Sequence, residues 1–217
     1  MNKRFTIRKY KKNDREDIAR ICADTGFVGQ PIDTIFEDRE LFVDISASFY
    51  MDKEPQHILV ALIDGVVVGY LIGWLNPELE KEIGWDVFRT GAKMAWRSFI
   101  GKYKKKRSIE YVAWIIFRGL KETPKHPKNA SRFHINIDKN YRRYGIGKEL
   151  FSKYEAMLKK KSIKRYYGCT IDCKHSKGTI AFFKKTGFVL YDKVETSVFK
   201  KELRSKAYRI CIYKDLH

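Results

Sequence analysis

The chain has 217 residues and a formal net charge of +19 at pH 7. This length is enough for one globular domain with a substantial core. The sequence has no apolar signal segment after its first residues and no run of about 18 apolar residues, so it predicts neither secretion nor a membrane span. Its four cysteines are scattered, without a Cys-x-x-Cys pair. We therefore expect a cytoplasmic protein with reduced thiols and no metal site.

The positive charge makes a polyanion-binding protein an alternative. Lysines are spread over most segments, and the densest runs are residues 102–107 and 159–161. Such runs more often belong to solvated helix ends or loops, and the chain has no helix-turn-helix, zinc-finger or RNA-binding sheet motif. We expect no specific nucleic-acid partner.

The hydrophobic pattern predicts strands and helices in a mixed order. Asp64 and Gly65, between two apolar runs, are the strongest short-range sign of a hairpin. In chain order the pattern predicts a strand at 5–8, helices at 15–22 and 32–49, a hairpin at 57–74, helices at 85–103 and 109–120, a strand at 133–137, a helix at 145–160, a strand at 166–172, a helix at 179–186, and strands at 191–199 and 208–214 that pair through residues 200–206.

The clearest functional pattern follows one of these strands. Gly145 and Gly147 lie in a basic turn that opens a helix, together with Arg142, Arg143 and Lys148. The first amides of a helix have no internal partner, and the helix dipole favours an anion there. The glycines let the backbone approach that anion, although the spacing is that of neither a Walker A loop nor Gly-x-Gly-x-x-Gly. The turn predicts a phosphate-binding site, the alternative being a plain helix start.

At these residues the chain resembles the GNAT superfamily of acetyl-CoA-dependent acyltransferases. Residues 142–147 match its Gln/Arg-x-x-Gly-x-Gly/Ala signature, and residues 176–188 are similar to its later block, Asn-x-x-Ala-x-Ala-Leu-Tyr-x-x-x-Gly-Phe. The resemblance implies an α/β (α+β) fold with a bent, mixed sheet of six or seven strands flanked by helices. It also implies acetyl-CoA as co-substrate and a primary amine as acceptor, on a small molecule, amino acid, peptide or sugar derivative.

The same resemblance implies a cofactor site between two parallel strands that separate. Pantetheine would fill the space between them, the pyrophosphate would rest on the amides of residues 143–148, and the amine would attack the thioester directly. The residues that the resemblance assigns to the cofactor are Ile135, Asn136, Ile137, Arg142, Arg143, Tyr144, Gly145, Ile146, Gly147, Lys148, Ser176 and Phe183.

The chain departs from the family pattern where the chemistry needs a proton donor or a base. Phe183 stands at the usual Tyr, and Ser176 stands at the usual Asn, where it can still donate one hydrogen bond. Ile171 occupies the position of a carboxylate often used as base. Its neighbour Asp172 is a catalytic candidate, the alternative being a solvated residue or a partner of Lys174. Three tyrosines are candidates for the missing acid: Tyr141, Tyr167 and Tyr191.

His134 is the preferred base. It lies two residues before Asn136, so both side chains point to one face of the strand, and histidine titrates near neutral pH. The alternative is a core histidine. Residues 134–137 are similar to the His-x-Asp-hydrophobic strand of acetyltransferase-like domains attached to some O-GlcNAcases and of their stand-alone bacterial relatives. Residues 26–27 and 38–42 resemble the same subgroup.

The family pattern is interrupted by an aromatic and basic section, which we interpret as a helical insertion at about residues 77–129 in a single domain spanning 1–217. One interpretation is an amphipathic helix pair lying on an anionic membrane. We favour a helical hairpin packed against the domain, where it walls the acceptor pocket or forms a homodimer contact.

Three functions remain open at this point. The first is an N-acetyltransferase, and the second is a related fold that binds coenzyme A without turnover, as the residue at position 183 allows. The third is a basic module that binds nucleic acid or a membrane surface. The fold alone cannot choose among them, because function resides in the site.

Overall fold

The computed structural model describes residues 4–76 and 79–216 and contains a seven-stranded sheet in the order β1-β2-β3-β4-β5-β7-β6. Neighbouring strands are antiparallel except β4 and β5, which are parallel. The strands are β1 Thr6–Lys9, β2 Ile58–Ile63, β3 Val66–Trp74, β4 Ser131–Ile137, β5 Arg165–Asp172, β6 Val189–Thr196 and β7 Ala207–Asp215. The helices are α1 Arg15–Asp24, α2 Arg39–Val43, α3 Phe49–Lys53, α4 Glu80–Phe99, α5 Lys106–Phe117, α6 Ile146–Lys160, α7 Lys177–Lys185 and α8 Lys200–Leu203. The predicted mixed sheet is confirmed.

Both predicted hairpins are present. Asp64 and Gly65 connect β2 to β3 with φ angles of +50° and +80°, the left-handed backbone that a tight hairpin turn requires. Strands β6 and β7 form the second hairpin, with the short helix α8 in its connection.

The helix predicted at residues 32–49 is wrong at its start. Ile32–Thr34 is only a 3₁₀ turn, and α2 begins at Arg39 because the Asp38 side chain accepts a hydrogen bond from the Leu41 amide at 3.3 Å. A π-helical segment, Asp44–Ser48, then joins α2 to α3.

The sheet separates two apolar cores. One face packs against α1–α5 and buries Tyr70 and Met94, and we call it the α1–α5 face. The opposite face packs against α6 and α7 around Phe133 and Leu150, and we call it the α6 face. Because side chains alternate along a strand, residue 134 of β4 lies on the α1–α5 face.

Helices α4 and α5 fall within the predicted insertion, whose expected start at residues 77 and 78 lies outside the described residues. One side of α4 buries Met94, whereas the other side exposes four aromatic rings by 61–84 %. These four rings, which we call the aromatic stripe, belong to Trp85, Phe88, Trp96 and Phe99. No helix in the described part of the chain is long and apolar enough to cross a membrane.

Candidate active site

The turn that opens α6 presents a row of unpaired amides. Arg143 and Gly145 adopt left-handed backbone, with φ angles of +71° and +86°, and α6 begins at Ile146. Within the described residues, none of the amides of residues 143–148 donates a hydrogen bond to the protein. Consecutive free N–H groups at a helix start form an anion-binding concavity.

Gly147 allows this turn to lie against the sheet. A Cβ added there would lie 3.0 Å from the Phe182 ring and 3.3 Å from Ile137 Cδ1. Any larger residue would therefore push the start of α6 away from the end of β4.

The basic side chains of the turn have different roles. The Arg142 guanidinium donates to the backbone carbonyls of Ile137 at 3.2 Å and Gly29 at 3.1 Å, and burial lowers its pKa. Its hydrogen bonds therefore tie the end of β4 to the loop after α1. Arg143 and Lys148 are exposed at the turn, where their charges are available to an anion.

Next to the turn, β4 and β5 separate. They pair only where residues 131–132 meet residues 166–167, and we call this end the vertex. Residues 133–137 and 168–172 then diverge, and we call the space between them the gap.

Alternate backbone groups of β4 point into the gap. The Asp138 amide donates to the Val68 carbonyl at 2.9 Å, so the even-numbered residues of β4 are those bonded to β3. Ile135 and Ile137 therefore direct their backbone N–H and C=O groups into the gap, whereas the backbone of Asn136 is used by β3. The Ile137 carbonyl already accepts from Arg142, and an extended ligand in the gap can hydrogen-bond to the remaining groups as a neighbouring strand would.

His134 and Asn136 lie on the α1–α5 face. The Asn136 side-chain amide donates to the Tyr70 hydroxyl at 2.9 Å and lies 3.2 Å from His134 Nε2. His134 Nδ1 is shielded from solvent and has no partner in the described chain. Burial, together with the charge of Arg132, lowers the pKa of His134 to about 4. The imidazole is therefore neutral at pH 7, as a base requires, but its Nδ1 is not accessible to a ligand in this conformation.

Asp172 lies on the opposite face of the sheet. Its neighbour Ile171 packs on the α1–α5 face, so Asp172 points to the α6 face. There its carboxylate pairs with Lys193 at 2.9 Å rather than with Lys174. The structure does not bring Asp172 and His134 together.

Ser176 immediately precedes α7, and Phe183 lies within it. The Ser176 hydroxyl donates to the Cys173 carbonyl and accepts from the Cys173 amide, at 3.0 and 2.8 Å, so its proton is already used. Phe183 is buried on the α6 face, in a cluster of rings that also contains Phe133, Phe151, Phe182 and Phe188. Among the three candidate tyrosines, Tyr167 lies at the vertex.

Sequence reasoning overlooked the residues that form the vertex. The Arg132 guanidinium donates to the Tyr50 hydroxyl at 3.1 Å. Tyr154 of α6 donates to the Arg132 carbonyl at 3.0 Å and lies 2.7 Å from the Ser131 hydroxyl. Gly73 makes this possible, because a Cβ there would lie 2.3 Å from the Tyr154 ring. Side chains alternate along a strand, so residues 132 and 134 lie on one face, and this was the sequence signal that could have identified Arg132.

Three surface cavities, with volumes of about 580, 470 and 400 Å³, lie away from the gap. The first is bounded by α4 and the helical segment at residues 44–53. The gap itself is a cleft between strands.

A family model covers the part of the chain that contains β4, the turn that opens α6, and β5. The model of the Acetyltransferase (GNAT) family matches residues 29–188. The chain therefore belongs to the GNAT acetyltransferase family, whose members are acyltransferases that use acetyl-CoA as co-substrate. The comparison with curated proteins found no match.

Solved structures share the fold at low sequence identity. The crystal structure of SsHAT has a TM-score of 0.61 and 17 % identity, covering 97 % of this chain and 98 % of that one. The phosphinothricin acetyltransferase (Pat) of Sinorhizobium meliloti, in complex with acetyl-CoA, has a TM-score of 0.59 and 16 % identity, covering 100 % and 89 %. The ribosomal-protein-alanine N-acetyltransferase of Brucella melitensis has a TM-score of 0.57 and 15 % identity, covering 97 % and 99 %.

Proposed function

We propose that this enzyme transfers the acetyl group of acetyl-CoA to a primary amine in the cytoplasm. The observation that carries the proposal is the row of free amides at residues 143–148, which opens directly beside the gap. The diphosphate of the cofactor binds these amides, with Arg143 and Lys148 supplying charge. Pantetheine lies in the gap against the backbone of Ile135 and Ile137.

The amine attacks the thioester directly. Its nitrogen forms the new bond to the acetyl carbon, the carbon–sulfur bond breaks, and coenzyme A leaves as a thiolate. His134 accepts the proton that the amine loses. Positioning of the two reactants provides most of the acceleration. Phe183 cannot protonate the thiolate, so the thiolate leaves unassisted or takes its proton from another group, for which Tyr167 at the vertex is the candidate.

A protein that binds coenzyme A without turnover is the second candidate function. The buried Phe183 ring and the shielded His134 Nδ1 favour it, because neither can exchange a proton with a ligand in this conformation. The similarity to the O-GlcNAcase-associated subgroup stays a prediction. In this chain Gly26 packs against the Phe42 ring, which accounts for both residues structurally.

Calorimetric titration with acetyl-CoA, coenzyme A and pantetheine tests the cofactor site. We expect pantetheine, which lacks the diphosphate, to bind at least about tenfold more weakly than coenzyme A. Gly147→Val should weaken acetyl-CoA binding by a similar factor, because its side chain displaces the start of α6. Gly178→Ala is the matched control, since a Cβ there meets nothing within 4 Å.

Thiol release over a panel of amines then tests turnover. Acetyl-CoA binding with amine-dependent thiol release supports the acetyltransferase. Binding without release from any amine favours the second candidate, and no acetyl-CoA binding would refute both.

A further inference from the structure

Arg132 carries a positive charge for which the described chain supplies no carboxylate. Its side chain is half-buried on the α1–α5 face, and its one hydrogen bond goes to the neutral hydroxyl of Tyr50. The groups with the largest electrostatic effect on it are tyrosines and cysteines. A hydrogen bond with Cys211 and the charges of Arg132 and Arg209 lower the pKa of Cys169 to about 6, so a thiolate there offsets part of the Arg132 charge without hydrogen-bonding to the guanidinium. A guanidinium has five N–H donors, so most of these donors are unused. A shielded charge of this kind is costly unless it is paired.

A second arginine makes the same region more positive. Arg209 of β7 lies on the same sheet face, where it donates to the Gly119 carbonyl at 3.1 Å and the Thr123 hydroxyl at 3.0 Å. Burial lowers the pKa of Arg209 most, the charge of Cys169 raises it, and the repulsion from Arg132, a smaller effect, lowers it. An anion bound at Arg132 would relieve this repulsion.

The position of Arg132 relates this charge to the reaction. Arg132 lies at the vertex, two residues before His134 and on the same face. Residues two apart on a strand are separated by about 7 Å. That spacing accommodates an amine and a carboxylate two or three bonds apart, with a hydrogen bond at each end.

We propose that the acceptor is an amine carrying a carboxylate two or three bonds from its nitrogen, as an amino acid does, and that Arg132 binds this carboxylate. The inference rests on the acetyl transfer proposed above and narrows its acceptor. Arg132 then fixes the distance between the amine and the thioester, while the Tyr50 hydroxyl holds the guanidinium in place.

The test compares amino acids with their own carboxamides as acceptors. Each kcat/KM value is calculated from the concentration of unprotonated amine, because converting the carboxylate to a carboxamide also changes the pKa of the amine. We expect wild type to prefer the carboxylate about 10–100-fold, the range for a hydrogen bond to a charged group. Arg132→Gln should remove this preference, and Arg132→Lys should keep part of it. Arg165→Gln, which removes an exposed arginine elsewhere on the sheet, is the control for net charge.

A binding measurement makes the result independent of turnover. With coenzyme A present, N-acetylglycine should raise the melting temperature of wild type more than N-acetylglycinamide does, and Arg132→Gln should abolish the difference. Cys169→Ser removes the cysteine with the largest electrostatic effect on Arg132, and this variant should keep the preference.

Equal use of acids and amides by wild type would overturn the inference while leaving acetyl transfer intact. So would a carboxylate preference that survives in a folded Arg132→Gln protein. Failure to bind acetyl-CoA would instead refute the proposed function itself, which the titrations above detect separately.

Discussion

The environment of His134 decides how its ring can act. Two influences lower its pKa to about 4: burial on the α1–α5 face and the charge of Arg132. The side chain of Asn136 contacts Nε2 and leaves Nδ1 as the nitrogen without a partner in the described residues. A bound carboxylate at Arg132 would offset that charge and raise the proton affinity of His134 as the acceptor arrives.

The first prediction concerns the titration of His134. Its NMR midpoint should lie near pH 4 in wild type and should rise in Arg132→Gln, because a nearby positive charge is removed. Between pH 6.5 and about 4 the unfolded state binds more protons at this residue than the folded state. Stability should therefore fall as pH falls through this window, and His134→Gln should weaken that dependence. A midpoint near 6.5 in wild type would contradict this account.

At the residue scale, the type of residue at the site was easier to predict from the sequence than the direction of its side chain. The basic glycine turn could be anticipated, because Gly145 takes a backbone conformation that other residues avoid. Alignment with a family block, in contrast, gives the residue type at Ser176 and Phe183 but not the direction of the side chain. That direction depends on packing partners such as Phe133, which come from distant parts of the chain.

Between elements, the vertex depends on one contact of α6 with the sheet. The Tyr154 hydroxyl bonds the Arg132 carbonyl beside the last β4–β5 pair, and Gly73 leaves space for its ring. The tie keeps β4 and β5 together at one end while they separate at the other.

The second prediction is that Gly73→Ala destabilises the protein by about 1–3 kcal/mol, because the new methyl group overlaps the Tyr154 ring. Tyr154→Phe, which loses only the hydroxyl, should cost about 1 kcal/mol. Denaturant unfolding measures both. Gly91→Ala on α4 is the control, since nothing lies within 4 Å of its added Cβ, and a loss of similar size there would argue against the steric explanation.

Another contact between elements connects the end of the insertion to the β6–β7 connection. The Glu122 carboxylate accepts from the Trp114 indole at 2.7 Å, the Thr196 hydroxyl at 2.9 Å, and the amide and hydroxyl of Ser197 at 2.7 and 2.8 Å. Burial alone would raise the pKa of Glu122, but these bonds outweigh it and lower the pKa to about 2.

The third prediction follows from that lowered pKa. Glu122→Gln should reduce stability at pH 7 by about 1–3 kcal/mol, because an acceptor shared by several donors is lost. The folded carboxyl has the lower pKa, so its contribution is complete above pH 4.5 and disappears as pH falls towards 2. The difference in melting temperature between the variant and wild type should therefore narrow in acid. A difference that stays constant down to pH 3 would contradict the assignment.

Helix and strand positions could mostly be predicted, because each long element has a clear apolar period. The exception is the segment at residues 32–49. There the apolar residues suggested one helix, but Asp38 caps a later start and a π-helical segment interrupts the helix. Local capping competes with apolar periodicity over such a short range.

At the scale of the whole molecule, the aromatic stripe and the net charge have opposite effects on the association of two copies of the chain. The rings form two stacked pairs, Trp85 with Phe88 at 5.4 Å and Trp96 with Phe99 at 6.0 Å between centroids. The pairs are separated by about 16 Å along α4. A two-fold axis perpendicular to the helix would therefore place the Trp85–Phe88 pair of one copy against the Trp96–Phe99 pair of the other. A charge of +19 on each copy opposes that contact.

The fourth prediction uses this opposition to test the homodimer contact, one of the two roles that the sequence suggests for the insertion. If the aromatic stripe is the contact, sedimentation should show a dimer whose population increases with salt, because ions screen the repulsion between the copies. Trp96→Glu should give a monomer, whereas Val189→Glu, which adds the same charge at an exposed position on β6, should not. Association that weakens with salt would point to a bound polyanion instead, because counterion release makes such binding salt-sensitive in the opposite direction. The sign of the salt dependence therefore distinguishes a stripe that binds its own copy from a basic surface that binds an acidic partner.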